Sequence, residues 1–110
     1  MSELLQDLKA VRALIHKGWI QRSYASNGFG GIVVPSSPHA TCFCLTGAVH
    51  RVRLSAYWDP LIRSLSDAIG VSEGAKSRYR FVLSFNDKRG RTKAEVIAIL
   101  DTAVETEAVA

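Results

Sequence analysis

Two apolar stripes at helical spacing, one near each end of the 110-residue chain, frame everything between them. Leu4, Leu8, Val11 and Ile15 recur every three or four residues, with Leu5 and Leu14 flanking them, and this spacing predicts a helix over 3–17. Ser2 can cap its start. His16 and Lys17 bring positive charge to its last turn, and Gly18 is expected at the left-handed position just beyond it. Near the other end, Thr92-Lys93-Ala94-Glu95 has the form of a capping box. The helix expected after it turns Val96, Ile99, Leu100 and Ala103 inward, with Ile97 and Val104 beside them, and frays over 106–110. Both stripes must be buried, and this length supports one core rather than two. Residues 1–110 are therefore expected to form a single domain in which the closing helix folds back on the first.

The middle of the chain is more varied. Trp19-Ile20 and Ile32-Val33-Val34 favour extended backbone, and Asn27-Gly28-Phe29-Gly30-Gly31 between them predicts a short hairpin or an ordered loop. These glycines lack the spacing of a dinucleotide fingerprint, and no βαβ unit surrounds them, so no cofactor is implied. Pro35-Ser36-Ser37-Pro38 is a break. A second helix is expected from about Thr41, with Leu45, Ala48, Val49, Val52 and Ala56 on one face. A third is expected from Asp59 and Pro60, lined by Trp58, Leu61, Ile62, Leu65, Ala68 and Ile69 and ended by Gly70. Tyr79, Phe81, Leu83 and Phe85 alternate with Arg80, Val82 and Ser84, which favours a strand over 79–85, with helix as the alternative. Asn86-Asp87-Lys88-Arg89-Gly90 reads as a turn. The fold class expected is mainly α, with about four helices and a short β-hairpin or strand; α+β is the alternative.

A hydrophobic fraction of 47% and a charged fraction of 22% exclude long disorder and fibrous repeats. No apolar run approaches the ~20 residues of a membrane span. A mixed-charge helix follows Met1-Ser2-Glu3 where a signal peptide would be basic then apolar. Cys42 and Cys44 are too close for an easy disulfide. Two free thiols suit a reducing compartment, so a cytoplasmic location is expected. The net charge of +4 is unevenly spread: residues 72–93 carry seven basic and two acidic side chains, and 94–110 carry four acids and no base. Lys76, Arg78, Arg80, Lys88, Arg89, Arg91 and Lys93 could form a nucleic-acid-binding face, although they match no reader motif and a solvated surface explains them more simply.

Three groups of residues could carry chemistry. Cys44, near the expected start of the second helix, has His39 and His50 on either side, with Asn86 or Asp87 available to orient an imidazole; this is the logic of a cysteine-dependent hydrolase. The same His39-x-x-Cys42-x-Cys44 run with His50 departs from zinc spacings, and no metal is expected. Asn86 and Asp87, with Arg91 and Thr92, could line a small polar pocket if Trp19 and Gln21 pack nearby. Buried cysteines, self-closing Asx turns and a helix cap account for the same residues structurally.

Gly18-Trp19-Ile20-Gln21, Cys44-Leu45-Thr46-Gly47-Ala48, Phe85-Asn86-Asp87 and Arg91-Thr92-Lys93-Ala94-Glu95-Val96 together resemble a family of small uncharacterised proteins from bacterial and phage genomes. The resemblance spans about residues 4–104 and is weakest over 24–42. It implies no activity. It does imply that Trp19, Gln21, Cys44, Asn86, Asp87, Arg91 and Thr92 belong to one recurring framework, and phage occurrence suits an accessory or host-interaction role. The function expected is a non-enzymatic cytoplasmic binding protein with a protein partner, Trp19, Gln21, Cys44, Asn86, Asp87 and Arg91 being its candidate binding residues. The nucleic-acid module and the hydrolase are the alternatives. A dimer is compatible with this apolar content, but no heptad seam specifies one.

Overall fold

The computed structural model describes residues 2–53, 60–71 and 75–110. Among them are five helices and one pair of short strands: α1 (Glu3–Lys17), β1 (Ala25–Ser26), β2 (Cys42–Phe43), α2 (Leu45–Val52), α3 (Pro60–Ile69), α4 (Ala75–Asp87) and α5 (Lys93–Ala108). The fold is mainly α with a small β element. Ala56, expected on the second helix, and Trp58 and Asp59, expected around the start of the third, lie outside the described residues, as does the Lys76 side chain.

The end helices meet as their stripes require. The Ser2 hydroxyl caps α1 by accepting from the Leu5 N–H, and the reciprocal Thr92–Glu95 bonds open α5. Leu8, Val11 and Ile15 of α1 and Val96, Leu100 and Ala103 of α5 are buried in one core. Three ties fix the pair antiparallel: Ser2 Oγ to Glu107, Arg12 Nε to Asp101 at 2.6 Å, and Lys93 Nζ to the His16 carbonyl. Leu61, Ile62 and Leu65 of α3, Val82 of α4 and Phe43 of β2 complete the core. Each such side chain contributes about 1.5–3 kcal/mol of burial.

Several local expectations are corrected. Gly18 is extended rather than left-handed, with φ −169°. Its value is close approach: a Cβ there would lie 2.6 Å from the Thr41 carbonyl oxygen and 2.8 Å from Cys42 Sγ. The second helix begins at Leu45, not near Thr41, because Cys42 and Phe43 are paired as β2. The stretch 79–85 is helical, part of α4. Tyr79, Val82 and Asn86 are its buried positions, at the i, i+3, i+7 spacing of one helix face. Asn86 and Asp87 accordingly close a helix rather than open a turn.

Between α1 and α2 the backbone builds a miniature sheet. β1 and β2 are antiparallel, with Ala25 opposite Phe43 and Ser26 opposite Cys42. Single bridges extend the pair on both sides. Trp19 lies parallel to Phe43, through Ile20 N–H to the Phe43 carbonyl and Phe43 N–H to the Gly18 carbonyl. Ser26 faces Ile32, flanked by Asn27 N–H to the Gly31 carbonyl and Val33 N–H to the Ala25 carbonyl. The spatial order is therefore Trp19, β2, β1, Ile32. The expected Asn-Gly hairpin is the β1–Ile32 arm, and Trp19 sits on the opposite edge.

Candidate functional site

Asn86 is fully buried on the last turn of α4, and all four of its side-chain hydrogen-bonding positions are used. Its oxygen accepts from Trp19 Nε1 at 2.7 Å and from the Leu45 N–H at 3.0 Å. Its nitrogen donates to the Ile20 carbonyl at 3.2 Å and to Asp87 Oδ1 at 2.9 Å. One side chain thus joins the Trp19 edge of the sheet, the start of α2 and the end of α4. Leu45 N–H belongs to the first turn of α2 and has no partner within that helix, so Asn86 supplies it from outside.

The neighbouring residues serve the same junction. Gln21 Nε2 donates to the carbonyls of Asn86 and Lys88 at 3.0 and 2.9 Å. Arg91 Nε donates to the Phe85 carbonyl at 2.8 Å, and its guanidinium carbon lies 3.7 Å above the centre of the Phe85 ring. Both satisfy carbonyls that the end of α4 leaves open. Asp87 Oδ1 also accepts from the Arg22 N–H at 2.9 Å. Arg22 has a left-handed φ of 66°, a conformation non-glycine residues rarely adopt.

Cys44 is the N-cap of α2, its sulfur taking the place a serine or aspartate oxygen commonly holds. Sγ accepts from the Gly47 N–H and lies 3.2 Å from Thr46 Oγ1. Burial pushes the thiol above its ordinary value, and the Asp87 charge adds to this. The bonds to Thr46 and Gly47 act in the opposite direction and are outweighed. The backbone of 22–24 crosses directly over this turn. The Cys44 N–H donates to the Tyr24 carbonyl, and a Cβ on Gly47 would lie 1.8 Å from that oxygen. The cysteine-to-glycine spacing therefore records a cap plus a crossing point.

The structure brings Trp19, Gln21, Cys44, Asn86, Asp87 and Arg91 into one region. Trp19, Gln21, Asn86 and Arg91 are engaged in holding it together. Cys44 and Asp87 border a cavity of about 210 Å³, with Arg22, Ser23, Tyr24 and Leu83. The lining residue Tyr24 shares a hydroxyl hydrogen bond with Tyr79 at 3.0 Å, and His50 Nε2 lies 3.3 Å from the Tyr79 hydroxyl. Burial holds the His50 imidazole below its ordinary value. Sequence reasoning missed this tyrosine–tyrosine–histidine chain; a helical reading of 79–85 would have turned Tyr79 inward. His50 bonds Tyr79, and His39 is exposed on the loop before β2. Among the described residues, no group of three or more His, Cys, Asp or Glu could hold a metal ion.

The basic block is divided. Arg78 bonds the Arg63 carbonyl, Ser66 Oγ and Asp67 Oδ1. Arg91 turns in to α4, and Lys93 reaches the His16 carbonyl. Arg80, Lys88 and Arg89 are exposed.

A second group sits on the other edge of the sheet. Phe29, Ile32 and Val34 are 96%, 76% and 64% exposed. The loop that carries them is tied down: Asn27 Oδ1 accepts from the N–H groups of Phe29 and Gly31, and Arg51 Nη1 donates to the carbonyls of Pro35 and Ser37. The signal for this patch lay in an aromatic residue placed within a glycine-rich turn and followed by an apolar run.

No curated protein and no solved structure matches the chain. Among the described residues no helix is long and apolar enough to cross a membrane. A family model matches residues 1–106, so the chain belongs to that family of unknown function, DUF6197.

Proposed function

We propose that the chain is a non-catalytic protein-binding module in which the Asn86 junction is the frame and the 27–34 loop is the contact surface. The observation that carries this reading is the exposure of Phe29, Ile32 and Val34 on a loop held by side-chain hydrogen bonds. A large apolar side chain kept in water on an ordered loop is unfavourable for the isolated chain and favourable once a partner covers it. The candidate residues at the junction keep the sheet in place rather than touch the partner.

A cysteine-dependent enzyme has less support. Cys44 Sγ is buried, caps a helix and has a raised pKa, the reverse of an activated thiolate. A nucleic-acid role has less support because Arg78, Arg91 and Lys93 are engaged within the fold. Two free cysteines fit a reducing compartment, so we place the module in the cytoplasm.

The test is affinity capture from a native lysate after nuclease treatment. The wild-type chain is compared with a variant carrying Phe29→Ser, Ile32→Ser and Val34→Ser. The reading expects a defined protein retained by the wild type and lost with the variant, at matched melting temperatures. Equal capture by both overturns it.

A further inference from the structure

The miniature sheet has two unlike edges. The Trp19 edge is tied to α4, because the Asn86 side chain bonds both the Trp19 indole N–H and the Ile20 carbonyl. On the other edge the bonding pattern makes Ser26 and Ile32 a non-hydrogen-bonded pair, because the flanking bonds join Asn27 to Gly31 and Val33 to Ala25. In such a pair each residue's own N–H and C=O point away from the other strand. Ser26 shows the consequence: its carbonyl accepts from the Thr41 N–H on the β2 side. Ile32 points the opposite way, and its N–H and C=O make no hydrogen bond with any described residue. The edge thus offers an outward donor and acceptor, with the Ile32 and Val34 side chains exposed beside them and Val33 packed inward.

The charge around the edge selects the occupant. No acidic residue occurs between Asp7 and Asp59, so the whole sheet and α2 carry none. Arg51 is bonded to the Pro35 and Ser37 carbonyls at the end of the edge, and exposed His39 follows. A second copy laid across the edge would set the Arg51 guanidinium, with no carboxylate near it in sequence, against its own image. An acidic segment would be complementary.

Resting on the protein-binding reading above, we infer that the Gly31–Val34 edge accepts an added strand. The occupant is an extended segment of another protein, apolar at alternate positions and flanked by aspartate or glutamate. Backbone bonds to Ile32 supply register, and contacts with Phe29, Ile32 and Val34 supply apolar burial.

The experiment is to pan a displayed library of random peptides on the full chain and synthesise the enriched sequence. Binding is then measured to the wild type, to Ile32→Pro and to the triple serine variant. Proline removes the outward N–H and no intramolecular bond. Enriched peptides are expected to alternate β-branched or aromatic residues between acidic ends. They should bind about tenfold more weakly to Ile32→Pro and weaken with added salt. Amide exchange in the wild-type complex provides a reading independent of any variant's folding: the Ile32 N–H should become protected. Binding that leaves this amide unprotected overturns strand addition and leaves the protein-binding reading intact. Self-association through the edge overturns the acidic partner. Enrichment no greater than on the triple serine variant overturns both the inference and the reading beneath it.

Discussion

The Trp19 indole N–H donates to the Asn86 side-chain oxygen across 2.7 Å, joining residues 67 positions apart in the chain. The same oxygen accepts from the Leu45 N–H, so the tryptophan edge of the sheet and the start of α2 are held by a single acceptor.

Replacing Asn86 should therefore be far more costly than replacing a typical polar residue. Asn86→Ala leaves the Trp19 and Leu45 donors and the Ile20 acceptor unpaired in a buried site. It should destabilise the chain by about 3–5 kcal/mol. Trp19→Phe removes one donor and leaves the oxygen bonded to Leu45, at about 1–2 kcal/mol. Urea unfolding of both single variants and the double variant should show a coupling of about 1 kcal/mol or more.

Gly47→Ala should be severe for a different reason. Its methyl would lie 1.8 Å from the Tyr24 carbonyl oxygen, an atom of the backbone that cannot rotate away. A loss of about 3 kcal/mol or more is expected in the urea midpoint, with the Cys44–Tyr24 backbone bond disrupted.

Cys44 carries a pH signature. Its folded pKa is raised above the ordinary 9.0, chiefly by burial. The neutral thiol is favoured in the fold, so this contribution is complete below that pH and is lost as pH rises through the folded pKa. The melting temperature should fall in alkaline solution for the wild type and fall less for Cys44→Ser. Serine keeps a capping oxygen, whereas Cys44→Ala should cost about 1 kcal/mol. At neutral pH a thiol reagent should modify half-buried Cys42 before Cys44.

His50 gives the acid-side counterpart. Burial lowers its pKa from 6.5, so the neutral imidazole is favoured beside the Tyr79 hydroxyl. That contribution is present above 6.5 and is lost as pH falls through the folded value. The His50 imidazole resonances should titrate below 6.5, and the acid decline in melting temperature should be smaller in His50→Gln.

What could be read in advance follows from what hydrophobic periodicity registers. The end helices were legible because Leu8, Val11, Ile15, Val96 and Leu100 declare their buried face and Ser2 and Thr92 mark their starts. The helix α4 was obscured because the most buried residue of its last turn is an asparagine, which an apolar count scores as surface, while Phe81 and Leu83 imitate strand alternation. The start of α2 was misplaced because two residues of strand beside a capping cysteine leave almost no pattern. Trp19, Gln21, Asn86 and Arg91 could be named, as a conditional polar pocket and through resemblance. Their common task could not, because it consists of hydrogen bonds to backbone groups distant in the chain.

Amide hydrogen exchange on the free chain tests the central claim most directly, that Asn86 ties the Trp19 end of the sheet to α2 and α4 while the Ile32 edge stays open. Phe43 N–H bonds the Gly18 carbonyl and Leu45 N–H bonds Asn86, whereas Ile32 N–H has no partner among the described residues. The account predicts strong protection at Phe43 and Leu45, about a thousandfold or more, and near-unprotected exchange at Ile32, with Leu45 losing its protection in Asn86→Ala. Protection at Ile32 comparable to that at Phe43, or free exchange at Leu45 in the wild type, would contradict it.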